Sequence, residues 1–199
     1  MTKFIETVLI EDGTVCHLDY HSRRYARTLQ HHFLHGKAEE FNRYVKNVLA
    51  GEPMSISKGI FKLRVIYSDK PLSYTLEPYQ SKEIKTLKLV EDDSIDYNFK
   101  YENRCSIERL LSLRGECDDI LIVKNGYITD TSYCNIIFEK DGQLFTPSTP
   151  LLAGTKRERL INTGTIKEEK IRPCDIRRYD KVYLINSMLD FVQVEKITL

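Results

Sequence analysis

Three dipeptides set the terms of this fold. Asp12-Gly13, Asn125-Gly126 and Asp141-Gly142 each separate two runs rich in β-branched and aromatic residues. Such dipeptides accept the positive φ angles of a tight primed turn, so each marks an antiparallel hairpin. The flanking runs are FIETVLI and TVCHLDY, then ILIV and YITDTS, then NIIFE and QLFTP. Further strands are expected in the run after Gly59, in Leu72–Tyr79 beyond a turn at Asp69-Lys70-Pro71, and over Lys85–Val90. A strand, a loop and a second strand are expected within residues 181–197. Helical spacing appears from His21 to about Leu34 (Tyr25, Leu29, Phe33) and from Phe41 to Leu49, where Gly51-Glu52-Pro53 ends it. It returns from Asn103 to about Arg114 and from Lys156 to Asn162. Strands and helices in separate blocks give an α+β class. The polar, acidic stretch after Val90 is the expected boundary between a small α+β domain, 1–90, and a larger β-rich, barrel-like domain with flanking helices, 91–199.

Charge and cysteine usage narrow the function. The 199 residues carry a net charge of +1, with both signs mixed along the chain, so no one-signed field exists to attract nucleic acid or an anionic membrane. The opening MTKFIETVLIEDG places charges where a signal peptide is apolar, and no apolar run reaches membrane length. Cys16, Cys105, Cys117, Cys134 and Cys174 are odd in number and form no C-x-x-C pair. They are expected to be reduced cysteines of a cytoplasmic protein. His31 and His35 have a metal-ligand spacing, but no further ligand completes a set, and no metal is expected.

The second half holds three short motifs in order: Lys100-Tyr101-Glu102-Asn103-Arg104, Asp130-Thr131-Ser132-Tyr133-Cys134-Asn135, and Ala153-Gly154-Thr155-Lys156-Arg157. An amine, a carboxylate and a glycine-opened helix start are what a protein needs to hold pyridoxal phosphate. Each has an ordinary reading as well. Lys100 after Phe99 suits a snorkelling surface side chain, Asp130 a turn residue, and Thr155 a helix cap.

In this order and spacing the motifs resemble the class IV, fold-type-IV pyridoxal-phosphate enzymes, from Phe4-Ile5-Glu6-Thr7 to Asn186-Ser187-Met188. The family includes branched-chain and D-amino acid aminotransferases and 4-amino-4-deoxychorismate lyase. The resemblance implies that Lys100 is the Schiff-base lysine, and its K-x-x-N-R form looks most like the lyase branch. It implies that Asp130 faces the pyridine nitrogen, where the family usually has the longer glutamate, with Asn135 in the turn beyond it. His21-Ser22-Arg23-Arg24 resembles the H-x-x-R element, which makes Arg24 the arginine on the cofactor phosphate. Gly154, with the Thr155 and Lys156 amides, resembles the phosphate-capping G-I-T-R helix opening, and Ser187 adds a hydroxyl. Arg64 stands where relatives direct a basic residue at a substrate carboxylate, although an arginine on a half-exposed strand is ordinarily surface.

The implied partners are a small substrate bearing an amine and a carboxylate, and a second copy of the chain. In the family the pocket lies between the domains at a dimer contact. The usual strand and D-R-G-F/G-D-G-x segment before F-E-T are absent from this sequence, so the substrate side is expected to be more open or to be closed by another chain. The reaction expected is conversion of 4-amino-4-deoxychorismate to 4-aminobenzoate and pyruvate. The alternatives are amino-acid transamination and a catalytically silent homologue.

Overall fold

The computed structural model describes residues 2–52 and 56–198, so Pro53 of the expected helix stop lies outside the described residues. The chain divides into two compact units. The first comprises residues 1–81 and 99–103, and the second residues 82–98 and 104–199.

The first unit is a sheet covered on one face by two helices. Strand β1 (Phe4–Glu11) turns through Asp12 (φ 46°) and Gly13 (φ 76°) into the short β2 (Thr14–Val15). Helices α1 (Leu18–Phe33) and α2 (Ala38–Ala50) follow, then β3 (Ile60–Tyr67) and β4 (Pro71–Pro78). The sheet order is β2-β1-β3-β4, all antiparallel. Side chains alternate across a strand, so Phe4, Val8 and Ile10 share a face with Leu63, Val65 and Tyr67. That face packs on Tyr25 and Leu29 of α1 and on Phe41, Val45 and Val48 of α2. Alternation places Glu6, opposite Val65, on the same helix-covered face. Thr7 and its partner Arg64 stand on the other face.

The second unit holds two sheets. One has the order β13-β5-β6-β7, from β5 (Thr86–Glu91), β6 (Asp119–Lys124), β7 (Tyr127–Thr131) and β13 (Lys196–Thr198). The other runs β10-β9-β8-β11-β12, from β8 (Asn135–Lys140), β9 (Gln143–Pro147), β10 (Lys167–Glu169), β11 (Lys181–Ile185) and β12 (Val192–Val194). Helix α3 (Cys105–Leu111), extended by a 3₁₀ turn over Ser112–Arg114, follows the crossing loop. Helix α4 (Thr155–Asn162) packs Leu160 on Ile137, Ile166 and Ile185. The turns at Asn125-Gly126 and Asp141-Gly142 have φ of 52° and 75°, and of 51° and 73°, as the dipeptides require.

Two details depart from the sequence reading. Residue 90, the expected boundary, lies inside the second unit, because β5 is bonded in parallel to β6 and β13. The segment 181–197 contains three strands rather than two: β12 stays antiparallel to β11, and the chain then switches sheets to place β13 beside β5.

Candidate active site

The second unit contains six of the expected residues: the buried acid Asp130, with Asn135, Gly154, Thr155, Lys156 and Ser187. Asp130 is at the end of β7, and the loop to β8 closes on itself: Thr131 N donates to Cys134 O (3.0 Å) and Cys134 N to Thr131 Oγ1 (3.1 Å). That turn sets Asn135 beside the acid. Asn135 Nδ2 donates to Asp130 Oδ1 (2.7 Å) and to the carbonyl of Leu152 (2.9 Å), and the Leu152 amide donates to Asp130 Oδ2 (2.9 Å). Both oxygens are therefore engaged, each by a neutral donor. Burial pushes the Asp130 carboxyl up to about 6, although the Leu152 amide, Asn135 and the charge of Arg157 pull the other way.

Gly154 fits between this acid and α4 because it has no side chain. A Cβ there would lie 1.9 Å from Asn135 Oδ1. Glycine is thus required for close approach, and the loop that fixes Asp130 and the start of α4 form one bonded unit. Gly154 is also the N-cap, and no side chain caps the helix. Thr155 is the buried first helical residue rather than the cap. The amides of the first turn have no acceptor within an α-helix, so this end suits an anion.

Lys156 reaches away from the helix. Its Nζ donates to Leu189 O (2.6 Å) and pairs with Asp190 (2.6 Å). The loop it holds contains Ser187. Asn186 Oδ1 accepts from the Met188 and Leu189 amides, and Asn186 Nδ2 donates to Cys134 Sγ (3.2 Å), which returns the loop to the Asp130 turn. Arg157 is buried, donating to Pro147 O (2.9 Å) and pairing with Glu168.

Arg24, Arg64 and Lys100 belong to the first unit. The Arg24 guanidinium grips Glu6 with two bonds, Nε to Oε1 (2.8 Å) and Nη2 to Oε2 (2.6 Å). His21 Nδ1 lies 2.7 Å from the same carboxylate. An ionised carboxylate only accepts, so Nδ1 carries the hydrogen. Glu6 is fully buried, and burial alone would raise its pKa. The charge and bonds of Arg24, with the bond from His21, overturn that and hold it at about 2. His21 is lowered, first by burial and then by the Arg24 and Lys100 charges, against the pull of Glu6. Lys100 is half-buried, and its carbonyl accepts from the Ile5 amide (2.9 Å). Arg64 stands on the sheet face opposite Glu6.

Glu6 is a buried charged group that the motifs do not single out. The signal was present: a lone acid at an inward position of the alternating run Phe4, Val8, Ile10, one H-x-x-R element away from its cation.

The residues fit pyridoxal phosphate on the chemistry of their donors. Asp130 is a buried acid bonded only by neutral groups, which suits a pyridinium. An uncapped helix start, tied to that acid through Asn135, suits a phosphate. Among the described residues, no cluster of three or more His, Cys, Asp or Glu side chains could hold a metal. None of the described helices is long and apolar enough to cross a membrane.

Comparison with known proteins agrees with this chemistry. An uncharacterized protein of Haemophilus influenzae is 35% identical over 188 residues, 94% of this chain and 98% of that one. A crystal structure named "putative 4-amino-4-deoxychorismate lyase", from Haemophilus somnus 129pt, is 31% identical with a TM-score of 0.80, covering 94% of this chain and 97% of that one. A hypothetical aminotransferase of Mycobacterium tuberculosis, in its PLP-bound form, shares the fold at 18% identity and a TM-score of 0.80, over 98% of this chain and 81% of that one. The family model described as amino-transferase class IV matches residues 3–197. The chain belongs to the class IV amino-transferase family of pyridoxal-phosphate-dependent enzymes.

Proposed function

We propose that this chain binds pyridoxal 5′-phosphate on Lys100 and converts 4-amino-4-deoxychorismate to 4-aminobenzoate and pyruvate, a step of folate biosynthesis. One observation carries the cofactor reading: a buried acid with only neutral donors, joined by one asparagine to an uncapped helix start. Asn103-Arg104 and the name of the Haemophilus somnus relative favour the lyase over transamination.

When bound, the cofactor supplies an electron sink for the charge that develops on the substrate carbon. The chain's own residues do the rest. Asp130 holds the ring nitrogen protonated. The Thr155 and Lys156 amides, Ser187 and Arg24 hold the phosphate, with Arg24 kept in orientation by Glu6. Arg64 takes the substrate carboxylate. Once the substrate's own amine has released it, the Lys100 amine removes the proton from the ring carbon bearing nitrogen; the ring C–O bond then breaks, and the departing three-carbon group takes up a proton from Lys100 to leave as pyruvate. Aromatisation of the ring drives this, so the protein's task is to position groups and move protons. The same reading includes a homodimer in the cytoplasm.

The test is pyruvate release from 4-amino-4-deoxychorismate with no amino acceptor present, lost in Lys100→Ala. Amino transfer from branched-chain L-amino acids or D-alanine, without pyruvate release, establishes the aminotransferase instead. Failure to bind the cofactor at all establishes a silent homologue.

A further inference from the structure

Rings at the C-terminal end of α1 close on the segment that carries Lys100. His32 lies 4.6 Å from Phe99, edge-on at 72°, and 6.2 Å from Tyr101 at 74°, measured between ring centroids. It also lies 4.7 Å from Phe4, which is itself 5.3 Å from Tyr101. His31 covers Phe99 from another side at 4.7 Å. The residues on both sides of Lys100 are thus gripped by one cluster of rings.

Residues 99–103 form a five-residue return to the first unit, flanked on both sides by chain of the second. Two backbone bonds, Ile5 N to Lys100 O (2.9 Å) and Glu102 N to Lys3 O (2.9 Å), make the Phe4–Tyr101 bridge that ties this stretch to β1. Ring contacts add to these bonds on both sides of Lys100. His32 Nε2 is buried without a hydrogen-bond partner, so that edge of the imidazole meets its surroundings through packing alone.

We propose that His32 is a positioning residue, whose ring, wedged against Phe99 and Tyr101, fixes the backbone on either side of Lys100 and with it the reach of the amine. This rests on the reading of Lys100 as the cofactor-bearing lysine.

The experiment fixes pyridoxal phosphate to the protein with borohydride, quantifies the adduct at Lys100 by mass spectrometry, and compares wild type, His32→Ala and His32→Phe. Losing the ring contacts to Phe99 and Tyr101, on either side of Lys100, is expected to raise the cofactor concentration for half-maximal adduct about tenfold in His32→Ala. His32→Phe keeps the ring and is expected to stay within about threefold of wild type. Wild-type behaviour in His32→Ala overturns the proposal, as does equal impairment of the two variants. Should His32→Ala fail to fold, His32→Leu, which keeps the apolar volume without a ring, is read in the same way. If wild type itself forms no adduct, the cofactor reading fails separately. Acetylation of Lys100 by sulfo-NHS-acetate, relative to the exposed Lys58, then decides without cofactor. A change of about threefold in His32→Ala, restored in His32→Phe, supports the positioning role; an unchanged rate overturns it.

Discussion

Two buried carboxylates, one in each unit, have opposite fates. Glu6 and Asp130 are both removed from water, which alone raises the pKa of each. Glu6 has a guanidinium on both oxygens and an imidazole on one, and stays ionised with a pKa of about 2. Asp130 has an amide side chain and a backbone amide, and is pushed up to about 6. Hydrogen bonds alone do not compensate a buried charge; a cation does. An acid that already has its cation is a strut. An acid bonded only by neutral groups is ready for a cation that arrives later, and that is the property a cofactor site needs.

The most direct way to break this contrast is to remove the strut's cation. Arg24→Met leaves Glu6 buried with His21 as its only hydrogen-bonded side-chain partner among the described residues, the situation of an uncompensated buried charge, expected to cost about 3–5 kcal/mol. Urea denaturation at pH 7 measures it. A loss below about 1 kcal/mol, the range of an exposed pair, would show that Glu6 is not held as described.

The next largest effect is in pH dependence, where the two acids have opposite signs. Glu6 is lowered from 4.5 to about 2, so its stabilisation is complete above 4.5 and is lost as pH falls toward 2. Asp130 is raised from 3.8 to about 6, so the folded state keeps a proton that the unfolded chain releases, and stability falls as pH rises from about 4 to 6. Each limb is on the order of 3 kcal/mol. Taken by themselves, the two acids give the cofactor-free protein a stability maximum near pH 4, while His21, whose pKa burial lowers, adds stability as pH rises toward 6.5. Asp130→Asn should flatten the upper limb and leave the lower one. Pyridoxal phosphate should flatten the upper limb too, by supplying the missing cation. If the limb survives in Asp130→Asn, another group causes it.

The hairpins were legible because their signal is local: a dipeptide and the alternation around it. The closeness of Asp130 to Asn135 was legible for a related reason, since it lies within one short run. Asp130 and Asn135 needed only a five-residue turn to come together. What could not be read was contact between distant segments. The parallel pairing of β5 with β6 and β13 depends on where residues 119 and 196 return, and no local period encodes that. The reach of Lys156 to the Ser187 loop was hidden as well, because lysine spacing says nothing about which carbonyl the side chain will find. Glu6 lies between these cases. Its burial follows from alternation, but its ionisation depends on Arg24, eighteen residues away.

Close packing between the acid and the helix start gives the third test. Gly154→Ala forces a methyl group into the position of Asn135 Oδ1, so Asn135 must leave Asp130, or α4 must shift. Overpacking of this kind costs about 1–3 kcal/mol. The useful readout is the upper pH limb. If Asn135 is displaced, Asp130 loses a neutral donor and its titration moves upward, while the Glu6 limb stays in place.

The smallest effect separates the helix start from the acid. Lys156→Met removes the bonds to Leu189 O and Asp190, and Asp190 is exposed, so the ion pair itself contributes under about 1 kcal/mol. The Leu189 carbonyl loses its donor, and the loop bearing Ser187 loosens. The expected result is about a fivefold weaker hold on pyridoxal phosphate, the equivalent of one hydrogen bond, read by fluorescence titration. The pH limb of Asp130 should not move, because Lys156 makes no bond to Asp130, Asn135 or Leu152. A shift of both together would mean that the start of α4 and the Asp130 carboxylate are one cooperative element, and that Lys156 holds more than its loop.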